Sequence, residues 1–86
     1  MDVSAVIRQF IVENFLFGDD GNLKEETSFL ESGIIDSTGI LELVSFLEEK
    51  FEISVADEEL VPENLDSIAN VVAYLTRKMS QTGSTG

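Results

Sequence analysis

Gly33-Ile34-Ile35-Asp36-Ser37-Thr38-Gly39 leads straight into Ile40, Leu43, Val44, Leu47 and Phe51, which recur at i, i+3, i+4, i+7 and i+11. That spacing is one apolar face of an α-helix, predicted over about residues 37–51. The opposite face carries Thr38, Glu42, Ser45 and Glu49, with Leu41 and Glu48 at its border. Ser37 therefore stands in the first turn of an acidic helix, beside backbone N–H groups that have no partner within the helix. Those groups and the helix dipole favour an anion attached there. The plainer reading is that Asp36 or Ser37 serves only as an N-cap, worth about 1 kcal/mol.

The chain has 86 residues, room for one small domain with one core. Five basic residues against seventeen acidic ones give a net charge of −12. That balance excludes a basic nucleic-acid footprint, which Lys and Arg would supply. It also disfavours an anionic membrane, and it points to basic protein partners or simply to a soluble acidic domain. With no Cys and no His, neither a disulfide framework nor a Cys/His zinc site can form. A Ser-His-Asp triad is equally impossible, so no catalytic residue, no metal site and no enzymatic activity are expected. No secretory signal is evident at Asp2, and no apolar run reaches the ~18 residues of a membrane span. A cytoplasmic monomer is the expectation.

Upstream, Asp2 or Ser4 caps a first helix with a stripe of Val3, Val6, Ile7, Phe10 and Ile11, ending near Leu16. Turn formers at 17–22 break it. The acidic cluster there misses calcium-loop spacing, because Lys24 falls where an oxygen ligand is needed. Residues 23–36 form a long connection in which Thr27 or Ser28 caps a short turn and Phe29 and Leu30 plug the core. Loops of this length are usually functional or internally packed. Gly39 costs up to about 1 kcal/mol in its helix relative to Ala; it is either a tolerated glycine in a fraying turn or one that leaves nothing bulky beside Ser37.

Downstream, residues 52–55 read as an extended link, with Ile53 and Val55 as core contacts. A short acidic helix over 57–61 ends at Pro62, and residues 64–66 provide a new cap. A last helix repeats the stripe with Ile68, Val71, Val72, Leu75 and Met79. Residues 80–86 are polar and Gly-rich, with nothing to bury. The expected fold is all-α: a small four-helix bundle of three longer helices and one short third helix, with a long first loop. Residues 1–79 form the domain and 80–86 a flexible polar tail.

These residues resemble the acyl carrier protein family, including its aminoacyl and peptidyl carriers. The resemblance covers about residues 3–79. It rests on Asp36-Ser37 opening a helix, on Glu42-Leu43-Val44 and Leu47-Glu48-Glu49-Lys50-Phe51 within it, and on Asp57-Glu58-Glu59-Leu60. It implies that Ser37 is the attachment site of a phosphopantetheine arm, transferred from coenzyme A by a holo-carrier synthase with Mg²⁺. Acyl groups then ride as thioesters on the arm's thiol, and Asp36 helps to dock the synthase. Thr38, Leu41, Glu42, Ser45, Glu48 and Glu49 would meet partners: an acyl-loading ligase or transferase, and acyl-processing enzymes with basic docking surfaces.

Two departures stand out. Fatty-acid carriers usually have Leu after the modified serine, where this chain has Thr38. They usually have one residue between the Gly and the Asp, where this chain has Ile34 and Ile35. The local form looks more like the discrete D-alanyl carrier proteins, which an adenylating ligase charges. The alternatives to a general acyl carrier are therefore an aminoacyl-type carrier, or an interaction protein that uses the fold without the arm.

Overall fold

The computed structural model describes residues 2–16, 18 and 23–85. All regular structure among them is helical: α1 (Val3–Phe15), α2 (Phe29–Ser32), α3 (Ser37–Phe51), a 3₁₀ turn (Asp57–Glu59), α4 (Pro62–Leu65) and α5 (Ile68–Thr85). The three long helices are those the apolar periodicity predicts. The short third helix expected over 57–61 is only the 3₁₀ turn, and a further short helix, α4, follows it. Pro62 ends nothing helical; it opens α4 at the first helical position, where its missing N–H is no loss.

The core forms where the stripes converge. Ile7 and Ile11 of α1, Leu43 and Leu47 of α3, and Ile68, Val71 and Leu75 of α5 are fully buried. Each such side chain gives roughly 1.5–3 kcal/mol on leaving water. Tyr74, outside the predicted stripe, is buried with them, and Phe29 closes the core from α2. Leu30 does not plug the core: it is 41% exposed, because a four-residue helix turns consecutive side chains to different sides.

The connection before α3 is packed rather than loose. Leu23 is buried, and its carbonyl accepts Arg8 Nη1 at 2.6 Å. Glu25 accepts Ser4 Oγ through its side chain and the Ala69 N–H through its carbonyl. The turn expected over 17–22 lies outside the described residues except for Gly18, whose φ of 90° is left-handed and whose N–H donates to the Val12 carbonyl.

Helix caps differ from expectation in one informative place. Asp2 caps α1 and Ser28 caps α2. The start of α5 is capped by Ser67, whose Oγ accepts the Asn70 N–H, and not by a residue in 64–66. Asp66 turns instead to α2: its carbonyl accepts the Phe29 N–H and its carboxylate accepts the Leu30 N–H and the Ser28 hydroxyl. Past α3, Glu52 adopts a left-handed conformation that ends the helix, and residues 53–56 have no regular structure, with Ala56 extended. The helical backbone of α5 continues beyond Met79, the last apolar residue of its stripe, to Thr85.

Candidate functional site

At the N-terminus of α3 the two open readings of Asp36 and Ser37 separate. Asp36 is the N-cap, its Oδ1 accepting the Gly39 N–H at 2.7 Å. Ser37 is the first helical residue. Its side chain is exposed, and no hydrogen bond among the described residues engages its hydroxyl. The cap satisfies one of the four free amide donors of the helix start. The remaining amides and the positive end of the dipole lie beside Ser37 Oγ and favour a phosphate bonded to it.

Ser37 borders a groove of about 260 Å³, lined by Leu30 of α2, Ile40 and Leu41 of α3, and Leu60, Val61, Pro62, Leu65 and Asp66 of the segment before α5. The lining is mostly apolar. All three exposed large hydrophobic residues of the described chain, Leu30, Leu41 and Val61, lie along it. A long flexible group fixed to Ser37 thus has an anion-favouring attachment point and an apolar channel within reach. The residues present fit a phosphopantetheine arm.

Two carboxylates tie down the segment that precedes α5. Glu59 Oε1 receives Lys78 Nζ at 2.7 Å, the Ala56 N–H at 2.9 Å and the Tyr74 hydroxyl at 3.1 Å. The Lys78 hydrogen bond, then that of Ala56, holds the Glu59 carboxyl below the usual carboxylate range. Burial, and then the hydrogen bond to Glu59, pushes the Tyr74 phenol up to about 12. Asp66 ties the other end of the segment to α2.

The remaining predicted site residues divide by environment. Thr38, Glu42, Ser45 and Glu49 are exposed, and Leu41 is 57% exposed. These share the outward side of α3 with Ser37. Glu48 differs: it is half-buried and its Oε2 accepts the Val55 N–H at 2.9 Å, fastening the extended link to α3. Gly39 faces inward and is buried, so it clears no space on the solvent side of Ser37. Sequence reasoning missed Leu30, Val61 and Pro62 as groove residues. The signal present was an apolar residue, Leu30 or Val61, at the edge of a short element with no periodic partner.

Comparison with known proteins identifies the family. The model of the phosphopantetheine attachment site family matches residues 6–75. An acyl carrier protein of Helicobacter hepaticus is 39% identical, covering 87% of this chain and 95% of its own length. One from Campylobacter curvus is 41% identical over 90% of this chain and 96% of its own. A protein described as "Probable acyl carrier protein PigG", from Serratia sp., is 33% identical over 78% and 77%. Among solved structures, a chain in the "Crystal structure of FAD-dependent dehydrogenase" superposes with a TM-score of 0.71 at 26% identity, over 80% of this chain and 97% of that one. The family's members are carriers rather than catalysts, and their cofactor is a covalently attached phosphopantetheine. With the match spanning most of the sequence, this chain belongs to the phosphopantetheine-binding acyl carrier proteins.

Proposed function

We propose that Ser37 carries the arm and that the chain holds acyl intermediates on it for delivery to partner enzymes. The carrying observation is the exposed Ser37 hydroxyl at the start of α3, capped by Asp36 and opening on an apolar groove. In the modification, Ser37 Oγ bonds to the phosphorus of coenzyme A that bears the pantetheine. The bond from that phosphorus to the bridging oxygen breaks, adenosine bisphosphate leaves, and the serine proton passes to the synthase. The arm supplies a thiol that holds the acyl group as a thioester. Asp36 keeps the first turn of α3 closed and contributes negative charge for the synthase and its Mg²⁺. Thr38, Leu41, Glu42, Ser45 and Glu49 form the surface that basic partners meet, with Glu48 contributing from its border. The setting is cytoplasmic and the carrier a monomer, with its domain over 1–79.

The test is incubation with coenzyme A, Mg²⁺ and a broad-specificity holo-carrier synthase. A single phosphopantetheine mass gain is expected, mapped to Ser37 and absent in Ser37→Ala. Modification at Ser32 or Ser45 instead overturns the assignment.

A second reading concerns partners. The similarity to a chain in a FAD-dependent dehydrogenase structure favours a flavin dehydrogenase among the acyl-processing enzymes. Charging by an adenylating ligase is in keeping with Thr38 after the serine. Competitive loading distinguishes the routes: ATP, a free acid and its ligase in one tube, malonyl-coenzyme A and its transferase in another. Malonyl loading alone rejects the ligase route.

A further inference from the structure

Gly39 is buried although Ser37 and Thr38 beside it are exposed. Glycine weakens a helix relative to alanine, so its place in the first turn of α3 calls for a reason in the packing. A Cβ at position 39 would lie 2.7 Å from Ile35 Cγ2, 2.9 Å from Phe15 Cε1 and 3.3 Å from Asp36 Oδ1. Carbon atoms rest about 3.5–4.0 Å apart at best contact, so the first two distances are collisions. Neither neighbour yields freely. Ile35 is 1% exposed. The Phe15 ring meets Phe10 edge to face at 5.9 Å, and Phe10 stacks on Phe46 at 4.1 Å. Phe46 belongs to α3 itself, so the three rings link the end of α1 back to the helix whose first turn holds Gly39.

We propose that Gly39 is a positioning residue for Ser37. Its missing side chain lets the first turn of α3 settle on Ile35 and Phe15 while the Asp36 cap stays closed on the Gly39 N–H. That seating fixes where Ser37 Oγ stands at the mouth of the groove. A methyl at 39 lifts the turn off Phe15, strains the cap and displaces the nucleophile two residues away. The inference rests on Ser37 being the modified residue.

The experiment compares the full chain with Gly39→Ala, with an Ile35→Leu/Phe15→Leu control that removes both colliding atoms, and with the triple variant. Phosphopantetheine transfer by a holo-carrier synthase is measured beside amide hydrogen exchange at residue 39. Gly39→Ala is expected to lose at least about tenfold in kcat/KM, mainly in kcat, since small misplacements of a reacting group cost factors of ten to a hundred. Its residue-39 amide should exchange faster, and the triple variant should recover the control's rate and protection. Unchanged transfer and exchange in Gly39→Ala overturn the inference, as does a loss that persists in the triple variant. Should Gly39→Ala fail to fold by circular dichroism, the triple variant against its control decides on the same terms. A wild type left unmodified at Ser37 overturns the attachment reading itself, and this inference with it.

Discussion

Ser28 and Asp66, 38 residues apart in sequence, are joined by a hydrogen bond from the serine hydroxyl to Asp66 Oδ2. The other carboxylate oxygen accepts the Leu30 N–H at 2.9 Å. One side chain thus braces both the Ser28 cap and the first turn of α2 from 38 residues away, and borders one end of the groove. Asp66→Ala should lower stability by roughly 2 kcal/mol, in the range for hydrogen bonds to a charged group. Asp66→Asn, which keeps one acceptor oxygen, should lose less. Urea melts with unchanged slope would check this, and an Ala variant as stable as wild type would reject it.

Acid should release the Glu59 tie. Its carboxyl is held below the ordinary value of 4.5, first by Lys78. A depressed folded value means that its contribution is present above the unfolded value and is lost as pH falls through the folded one. The stability difference between wild type and Glu59→Gln should therefore be full at neutral pH and shrink below about pH 4. A difference independent of pH would refute the ion pair's role.

Tyr74 works at the other end of the scale. Its phenol, raised to about 12 chiefly by burial, contributes stability fully present below the unfolded value of 10. That contribution is lost as pH rises from there through 12. Tyr74→Phe should cost about 1 kcal/mol at neutral pH for the lost hydrogen bond, and should flatten the alkaline limb of a stability-pH profile.

Ser37 and Asp36 should separate modification from stability. Because Asp36 makes the cap, Asp36→Ala should cost about 1 kcal/mol. Ser37→Ala should stay within about 0.5 kcal/mol of wild type while abolishing the mass gain. Thermal melts of the unmodified proteins test the contrast, and a larger loss in Ser37→Ala would contradict it.

Charge reversal on α3 should also divide by environment. Glu42→Lys, on the exposed face, should slow association with a basic partner enzyme more than it speeds dissociation. The effect should fade as salt shortens the Debye length towards ~8 Å and below. Glu48→Lys should instead lower stability, because its carboxylate holds the Val55 N–H. Stopped-flow binding beside melting curves would reveal equal behaviour if this distinction fails.

What the sequence made legible was whatever depends on local periodicity. Ile7 and Ile11, Leu43 and Leu47, and Ile68 and Leu75 stand at helical spacings, and all are buried. Asp36-Ser37 before such a stripe marked the helix start, though not which of the two caps it. Contacts between distant segments were hidden. Nothing local shows that Asp66 bonds to Ser28 and Leu30 rather than capping α5, that Glu48 bonds to Val55, or that three donors converge on Glu59. Leu30 misled because an apolar residue in a short element has no period from which to read its side. Gly39 misled because the atoms that forbid a side chain there come from Phe15 as well as from its neighbour Ile35.

The groove beside Ser37 also bears on how copies of the chain behave together. Leu30, Leu41 and Val61 leave a solvent-exposed apolar slot on every molecule, and such slots invite self-association. The net charge of −12 opposes this, because two copies repel before their slots can meet. An enzyme of opposite charge is drawn in by the same field. Charge of one sign would thus act as a colloidal filter against like copies. Acidification towards zero net charge removes the filter, so light scattering should rise there, and should rise less when Leu41 is replaced by a polar residue.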